Sequence, residues 1–319
     1  MRKDNRAMTA THQIPHALDV IETSPSAYKE GVPTLYKFMS YPSDGTASIN
    51  NAERRRRVDA LLRDGELYFA TAHEMNDPFE AAPHFRIPEI SPNETLEAFM
   101  RPLRNVYAPE WGWSEEQILA YEQNLSEEIQ SGAFQARMTS FTHRFRESLR
   151  SEYPMCCLAA KRDSTLMWSY YSGGHTGICI HFDATNSPFA NAKRVIYSQQ
   201  FPEVPLPFAE LDPNELVRLA LFTKSDVWVH ESEYRLINML MEHPPAKPKR
   251  MLDDVFEWKT TQLAVVPPSF IVGVTIGASM QGAEIENILR ICHDRPIKIP
   301  VFQAKCRQDR FDLEFSQIA

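Results

Sequence analysis

Apolar residues recur along this chain at two spacings, and the change from one to the other marks out its elements. Residues 1 to about 30 carry neither spacing and are expected to be a mobile leader. Residues 34–38 (Thr-Leu-Tyr-Lys-Phe) read as a short strand. The Pro, Ser, Asp and Gly of residues 39–50 then predict a loop. Over residues 51–63, Val58, Leu61 and Leu62 share one side of a helix, which Asp64-Gly65 closes before a strand at 66–70. Residues 91–152 are helical in pattern. Asn93 is placed to cap the first helix there, and Ser114 with Gln117 forms a capping box for the next.

The second half alternates between periods. Residues 155–160 read as a buried strand and 164–171 as a short helix stopped by Gly173-Gly174. In 177–182, Ile178, Ile180 and Phe182 alternate with Cys179 and His181, which predicts a strand. Another strand is expected at 193–197. Asp212-Pro213-Asn214-Glu215 opens a helix that runs to about Phe222. Strands at 232–240, 262–266, 271–276, 299–304 and 311–315 follow, with a loop at 244–250 and a helix at 282–292. The expected fold is α+β: a mixed or antiparallel sheet with flanking helices. It forms a single domain over 31–319, with a helical insertion at about 93–152.

Composition narrows the class. Of 319 residues 43% are hydrophobic and 24% charged, which excludes wholesale disorder and a disulfide miniprotein. Glycine is scarce at 11, which argues against a glycine-looped dinucleotide fold. The net charge of −8 repels nucleic acid and anionic membrane in general, although a local basic patch can still bind either. The apolar runs are too short to cross a bilayer, and the first twenty residues lack the apolar core of a secretory signal. Five cysteines, an odd count with no C-x-x-C, fit reduced thiols in a cytoplasmic protein.

Candidate chemistry gathers in four places. Glu231-Ser232-Glu233 is the sharpest: on an extended segment Glu231, Glu233 and Arg235 share a face, with Tyr234 and Leu236 turned away. Two such carboxylates, ~7 Å apart, can divide the work of orienting a substrate and stabilising a cationic transition state. The alternative is a Glu–Arg ladder on a solvated sheet face. In Asn76-Asp77-Pro78-Phe79-Glu80 the side chains can build a turn that Phe79 anchors in the core, or Asn76, Asp77 and Glu80 can line the mouth of a site. Trp168 and Tyr171 are three apart on a helix, a core spacing, while His175 follows a flexible glycine pair. His181 can join the same site. Among the consecutive arginines 54–57, Arg54 and Arg57 lie one turn before core positions, with heads able to meet an anion or a carboxylate. No metal-ligand spacing, Walker loop, G-x-S-x-G or G-x-G-x-x-G occurs.

Four strings in order, Leu35-Tyr36-Lys37-Phe38, Asn76–Glu80, Met167–Tyr171 with His175–Cys179, and Trp228–Arg235, resemble a bacterial domain-of-unknown-function family, the one numbered twenty-nine seventy-one. The likeness spans roughly residues 35–315 without the 93–152 helices and implies no established activity. The Glu231-x-Glu233 arrangement is also similar to the Glu-x-Glu signature of ADP-ribosyltransferases, with Lys37 where that superfamily has Arg or His and with no Ser-Thr-Ser strand. This second resemblance implies cleavage of the nicotinamide glycosidic bond of NAD, without a metal, by a toxin or defence effector. Glu233 would bind the ribose and Glu231 would orient the nucleophile. His175 would assist, and Lys37, Arg54 and Arg57 would neutralise the pyrophosphate. Trp168 and Tyr171 would stack on a ring. The partners implied are a nucleotide or NAD and a protein or nucleic-acid acceptor, with no membrane. A non-catalytic interaction module and a carboxylate-based hydrolase of another glycosidic substrate remain the alternatives.

Overall fold

The computed structural model describes residues 24–43, 49–87, 89–207, 213–238, 252 and 255–319. The fold is α+β, built on a mixed sheet. Where one domain with a helical insertion is expected, the chain groups into two compact units, one holding Pro83–Arg137 and Pro202–Leu219, the other Ser24–Ala82, Met138–Phe201 and Ala220–Ala319.

The first unit is mainly helical. Its helices include Pro92–Pro102, Ala108–Trp111 and Glu115–Ser131, and it takes in the start of Ala133–Glu152 and most of Pro213–Phe222. The capping box at Ser114 and Gln117 forms as expected. The first helix, however, is capped by Ser91 and not by Asn93, because Pro92 takes the first helical turn and Glu94 closes the box. A short parallel pair, His84–Arg86 with Glu203–Pro205, completes this unit.

The second unit carries the large sheet. Its strands, labelled in chain order, are β1 (Thr34–Met39), β2 (Met155–Ala159), β3 (Ile178–Asp183), β4 (Lys193–Arg194), β5 (Glu233–Ile237), β6 (Ile271–Ile276), β7 (Val301–Cys306) and β8 (Leu313–Gln317). They lie in the order β8-β7-β6-β3-β1-β2-β5-β4, antiparallel except for the β6–β7 pair. Alternation along each strand separates two faces. Leu35, Cys156, Leu158, Ile178, Ile180, Tyr234 and Leu236 point into the main core, under Val58, Leu61 and Leu62 of the helix Ile49–Asp64 and Ile288 and Ile291 of the helix Gly282–Asp294. Each such aliphatic side chain contributes about 1.5–3 kcal/mol when fully buried. On the opposite face Phe38, Ala159 and Cys179 pack against Met167 and Trp168 of the helix Thr165–Tyr171. That helix is capped by Ser164, whose side chain accepts from the Met167 N–H.

Several expectations change at the element ends. The leader reading stops at residue 23, beyond which the chain is packed: Ala27 is fully buried, its N–H donates to Ala192 O at 2.9 Å, and Ser26 bridges to Lys193. Residues 1–23, the centre of the 39–50 loop, the Asp212 cap, the end of the 232–240 strand and the 244–250 loop lie outside the described residues. The strand expected at 193–197 is two pieces in different sheets, since Lys193–Arg194 pairs with β5 and Ile196–Ser198 runs parallel to Thr223–Ser225. No described helix is long and apolar enough to cross a membrane.

Candidate active site

The candidate site lies within the second unit, where β1 and β2 separate. These strands share one ladder pair, Tyr36 with Ala159. Below it the Lys37 ammonium donates to the Cys157 carbonyl at 3.4 Å and approaches Cys156 Sγ at 3.8 Å. The gap opens into a pocket of about 250 Å³ whose walls carry Lys37, Glu74, Asp77, Glu80, Lys224, Glu231 and Glu233. Five acids against two lysines make the lining acidic, so the pocket suits a neutral or cationic ligand group better than an anion.

An ion cluster forms its floor. Lys224 Nζ lies 2.5 Å from Glu231 Oε2, 3.1 Å from Glu233 Oε2 and 3.8 Å from Glu80 Oε2. Arg235 donates through Nε to Glu233 Oε1 at 2.7 Å, through Nη2 to Glu233 Oε2 at 3.0 Å and through Nη1 to Glu80 Oε1 at 2.7 Å, and also bonds the Leu221 carbonyl. Glu80, Glu231, Glu233, Lys224 and Arg235 are all buried. The three carboxylates and two cations leave one formal negative charge within this set. Unpaired, any of them would be costly in a dry environment; paired and hydrogen-bonded, they persist. The Tyr171 phenol donates to Glu231 Oε1, and the Glu233 N–H donates to the Tyr197 hydroxyl oxygen at 2.8 Å.

A backbone kink brings the two glutamates of the E-x-E string together. The residues before Glu233 are not extended: Asp226–Glu231 forms a 3₁₀ turn, and Ser232 sits in the left-handed region at φ 46°, ψ 53°. Glu233 and Arg235 share a strand face, with Tyr234 and Leu236 turned into the main core, as alternation requires. Glu231 reaches the same lysine from the turn. The straight Glu231–Glu233–Arg235 ladder is therefore replaced by a hairpin-like approach of two carboxylates, and the face is dry, not solvated.

Burial and charge set the two glutamates apart. Burial pushes the Glu231 carboxyl above the ordinary carboxylate range and the Glu233 charge adds to this, against Lys224 and the Tyr171 hydrogen bond. Burial also acts on Glu233, but the Arg235 and Lys224 charges outweigh it and hold that carboxyl well below the usual range. Burial and Arg235 oppose the Lys224 charge, yet Glu233, Glu231 and Glu80 together raise its pKa. Burial, then the Glu231 charge, raises the Tyr171 phenol, so it stays protonated as a donor.

The structure thus brings together Glu231, Glu233, Arg235, Glu80, Asp77, Asn76, Tyr171 and Lys37 at or beneath one pocket. The turn at residues 76–80 differs in its anchor. Asp77 accepts from the Phe79 N–H at 2.9 Å, a side-chain-built turn, but Phe79 is 61% exposed and it is Glu80 that is buried, tied to Arg235. Other expected members lie elsewhere. Trp168 is core: it meets Phe38 edge-on and donates from Nε1 to Arg162 O at 2.8 Å, so it offers no ring face to a cofactor. His175, at φ 68°, closes the short helix with its ring stacked on Trp168 and does not line the pocket. Arg54 is exposed, and Arg57 pairs with Glu53 at 3.0 Å while covering the Tyr68 ring; neither lines the pocket. His181 is buried and bonds Thr275 Oγ1 at 2.8 Å.

Three participants were missed by sequence reasoning, Glu74 on the pocket wall, Lys224 and Tyr197. Lys224 had one signal, a single cation between the apolar runs of residues 219–222 and 227–229. Tyr197 had none, because its neighbour Glu233 is brought to it only by the pairing of separate strands.

No protein-family model, curated protein or solved structure matches this chain. Among the described residues no group of three or more His, Cys, Asp or Glu is arranged to hold a metal ion; Lys224 occupies the point toward which the three glutamates converge.

Proposed function

We propose that the pocket binds the nicotinamide riboside end of NAD and that the protein cleaves its glycosidic C–N bond, passing the ribosyl group to an acceptor in the manner of an ADP-ribosyltransferase. The observation that carries this reading is the Glu231 carboxylate, held by Tyr171 and Lys224 at the edge of an acidic pocket and backed by Glu233. The nicotinamide ring of NAD is a cation, and its departure leaves positive charge on the sugar; a fixed negative environment favours both. The volume, just under the ~300–1,000 Å³ of small-molecule sites, suits half a dinucleotide.

In this reading the C–N bond breaks, its electron pair leaves with nicotinamide, and the acceptor oxygen attacks the sugar carbon. The acceptor's proton passes to Glu231, whose raised pKa suits a base. Glu233 faces two cations, Arg235 and Lys224, which hold its carboxyl low and make it a poor base, so it positions Lys224 and through it Glu231, and does not grip the ribose.

The test is nicotinamide release from NAD, followed by chromatography, for the wild type and E231Q. Loss of a general base lowers turnover about 10²–10⁴-fold, and that is the expected effect of E231Q in a variant that keeps its fold by circular dichroism. No release by the folded wild type, or equal release by E231Q, would overturn the reading.

A further inference from the structure

The excess of acids over lysines in the pocket disfavours the phosphates of such a substrate inside it, and the sheet face next to the pocket carries a cation for them. From Tyr36 on the pocket wall, an aromatic strip crosses the sheet. Tyr36 meets His181 edge-on at 5.0 Å, and His181 stacks on Phe302 at 5.8 Å. Gly273 makes room for this strip, since a Cβ there would sit 2.7 Å from His181 Nδ1. At its end the Arg162 guanidinium lies over two rings, 4.8 Å from the Phe302 centroid and 4.5 Å from that of Phe315.

Arg162 stands in the connection between β2 and the helix Thr165–Tyr171, both of which contribute to the pocket wall, and its carbonyl is pinned by the Trp168 indole. Its charge is felt at Tyr36. Among the described residues no hydrogen bond or ion pair engages its guanidinium, so the planar fork rests over the two rings with its N–H groups uncommitted. A guanidinium presented in this way matches a phosphate geometrically and electrostatically.

We infer that Arg162 binds the phosphate groups of a dinucleotide whose glycosidic end enters the pocket, a specificity role that rests on the reading of the pocket given above. It takes the part expected of Lys37, Arg54 and Arg57, which the fold assigns to the Cys157 carbonyl, to the exposed helix surface and to Glu53.

Two measurements test this, on the wild type, R162M and R162K. In calorimetry with ADP-ribose, R162M weakens binding about 10- to 100-fold, the scale of one charge-assisted contact, and R162K, which keeps the charge without the fork, weakens it less. In turnover, R162M raises the KM for NAD with kcat retained and leaves the KM for nicotinamide riboside, which lacks the phosphates, unchanged. ADP-ribose binding that depends on Arg162 without any nicotinamide release upholds this inference while removing the catalytic one. Cleavage of NAD with the same KM in R162M, or ADP-ribose affinity equal in all three proteins, overturns this inference alone. Should R162M not fold, R162K carries the test, and undiminished ADP-ribose affinity in it overturns the assignment.

Discussion

Two regions of the second unit use the same residue types to opposite effect. On the helix Ile49–Asp64, Glu53 pairs with Arg56 at 2.8 Å and with Arg57 at 3.0 Å, three and four residues on. On the pocket floor, Glu233 pairs with Arg235 at 2.7 Å, two residues on. The contacts are alike in length, but Glu53 and Arg56 have side chains 42% and 56% exposed, whereas Arg235 and Glu233 are almost completely enclosed. Water and salt screen the first set, leaving each pair at about 0–1 kcal/mol. Little solvent reaches the second to replace a partner, so each charge there depends on the others. Hydrogen bonds from Arg56 and Arg57 take the Glu53 carboxyl to about 2, but that low value on a solvated side chain carries little stability. Proximity in sequence is thus a poor guide to the weight of an ion pair; enclosure decides it.

The sharpest way to break this contrast is R235M, which leaves Glu233 and Glu80 enclosed without their guanidinium. It is expected to cost about 3–5 kcal/mol in urea unfolding, with part of the loss recovered in R235M/E233Q. A loss under about 1 kcal/mol would mean that water enters the cluster freely. A subtler effect separates the two pocket glutamates by pH. The lowered Glu233 carboxyl contributes stability above its unfolded pKa of ~4.3, lost as the pH falls through the folded value. The raised Glu231 carboxyl works the other way: its contribution is present below ~4.3 and lost as the pH rises through its folded value. Unfolding free energies measured from acid to neutral pH should therefore show the wild type losing ground to E231Q and gaining on E233Q as the pH rises. Parallel slopes would contradict the assignment of opposite shifts. The smallest effect belongs to the surface: E53A should change stability by no more than about 0.5 kcal/mol, and less at high salt.

Much of the architecture was legible because alternation and helical spacing are local signals. The β3 alternation of Ile178, Ile180 and Phe182 against Cys179 and His181 predicted which side chains enter the main core, and the Val58-Leu61-Leu62 stripe found its place beneath the sheet. The site was legible only in part. Glu231, Glu233 and Glu80 stood out as acids in unusual strings, yet their geometry came from the left-handed Ser232 and from Arg235, which joins two segments 155 residues apart. Ser232 carries no mark of that conformation, since nothing about a serine between two glutamates distinguishes a kink from a strand. The aromatic and histidine candidates misled for a related reason: Trp168 and His175 have side chains fit for a pocket, and packing turned them against each other instead.

The order of residues alone determined the α+β class, the alternation that turns Tyr234 and Leu236 away from Glu233 and Arg235, and the presence of a carboxylate-rich string beside a basic residue. Tertiary structure decided which charges lose their water. Lys224, Glu80 and Arg235 became one cluster, and Arg162 became a clamped guanidinium beside a pocket, because strands distant in the chain pair side by side. The physical reason is that periodicity acts over a few residues, whereas desolvation depends on everything that surrounds a group in space.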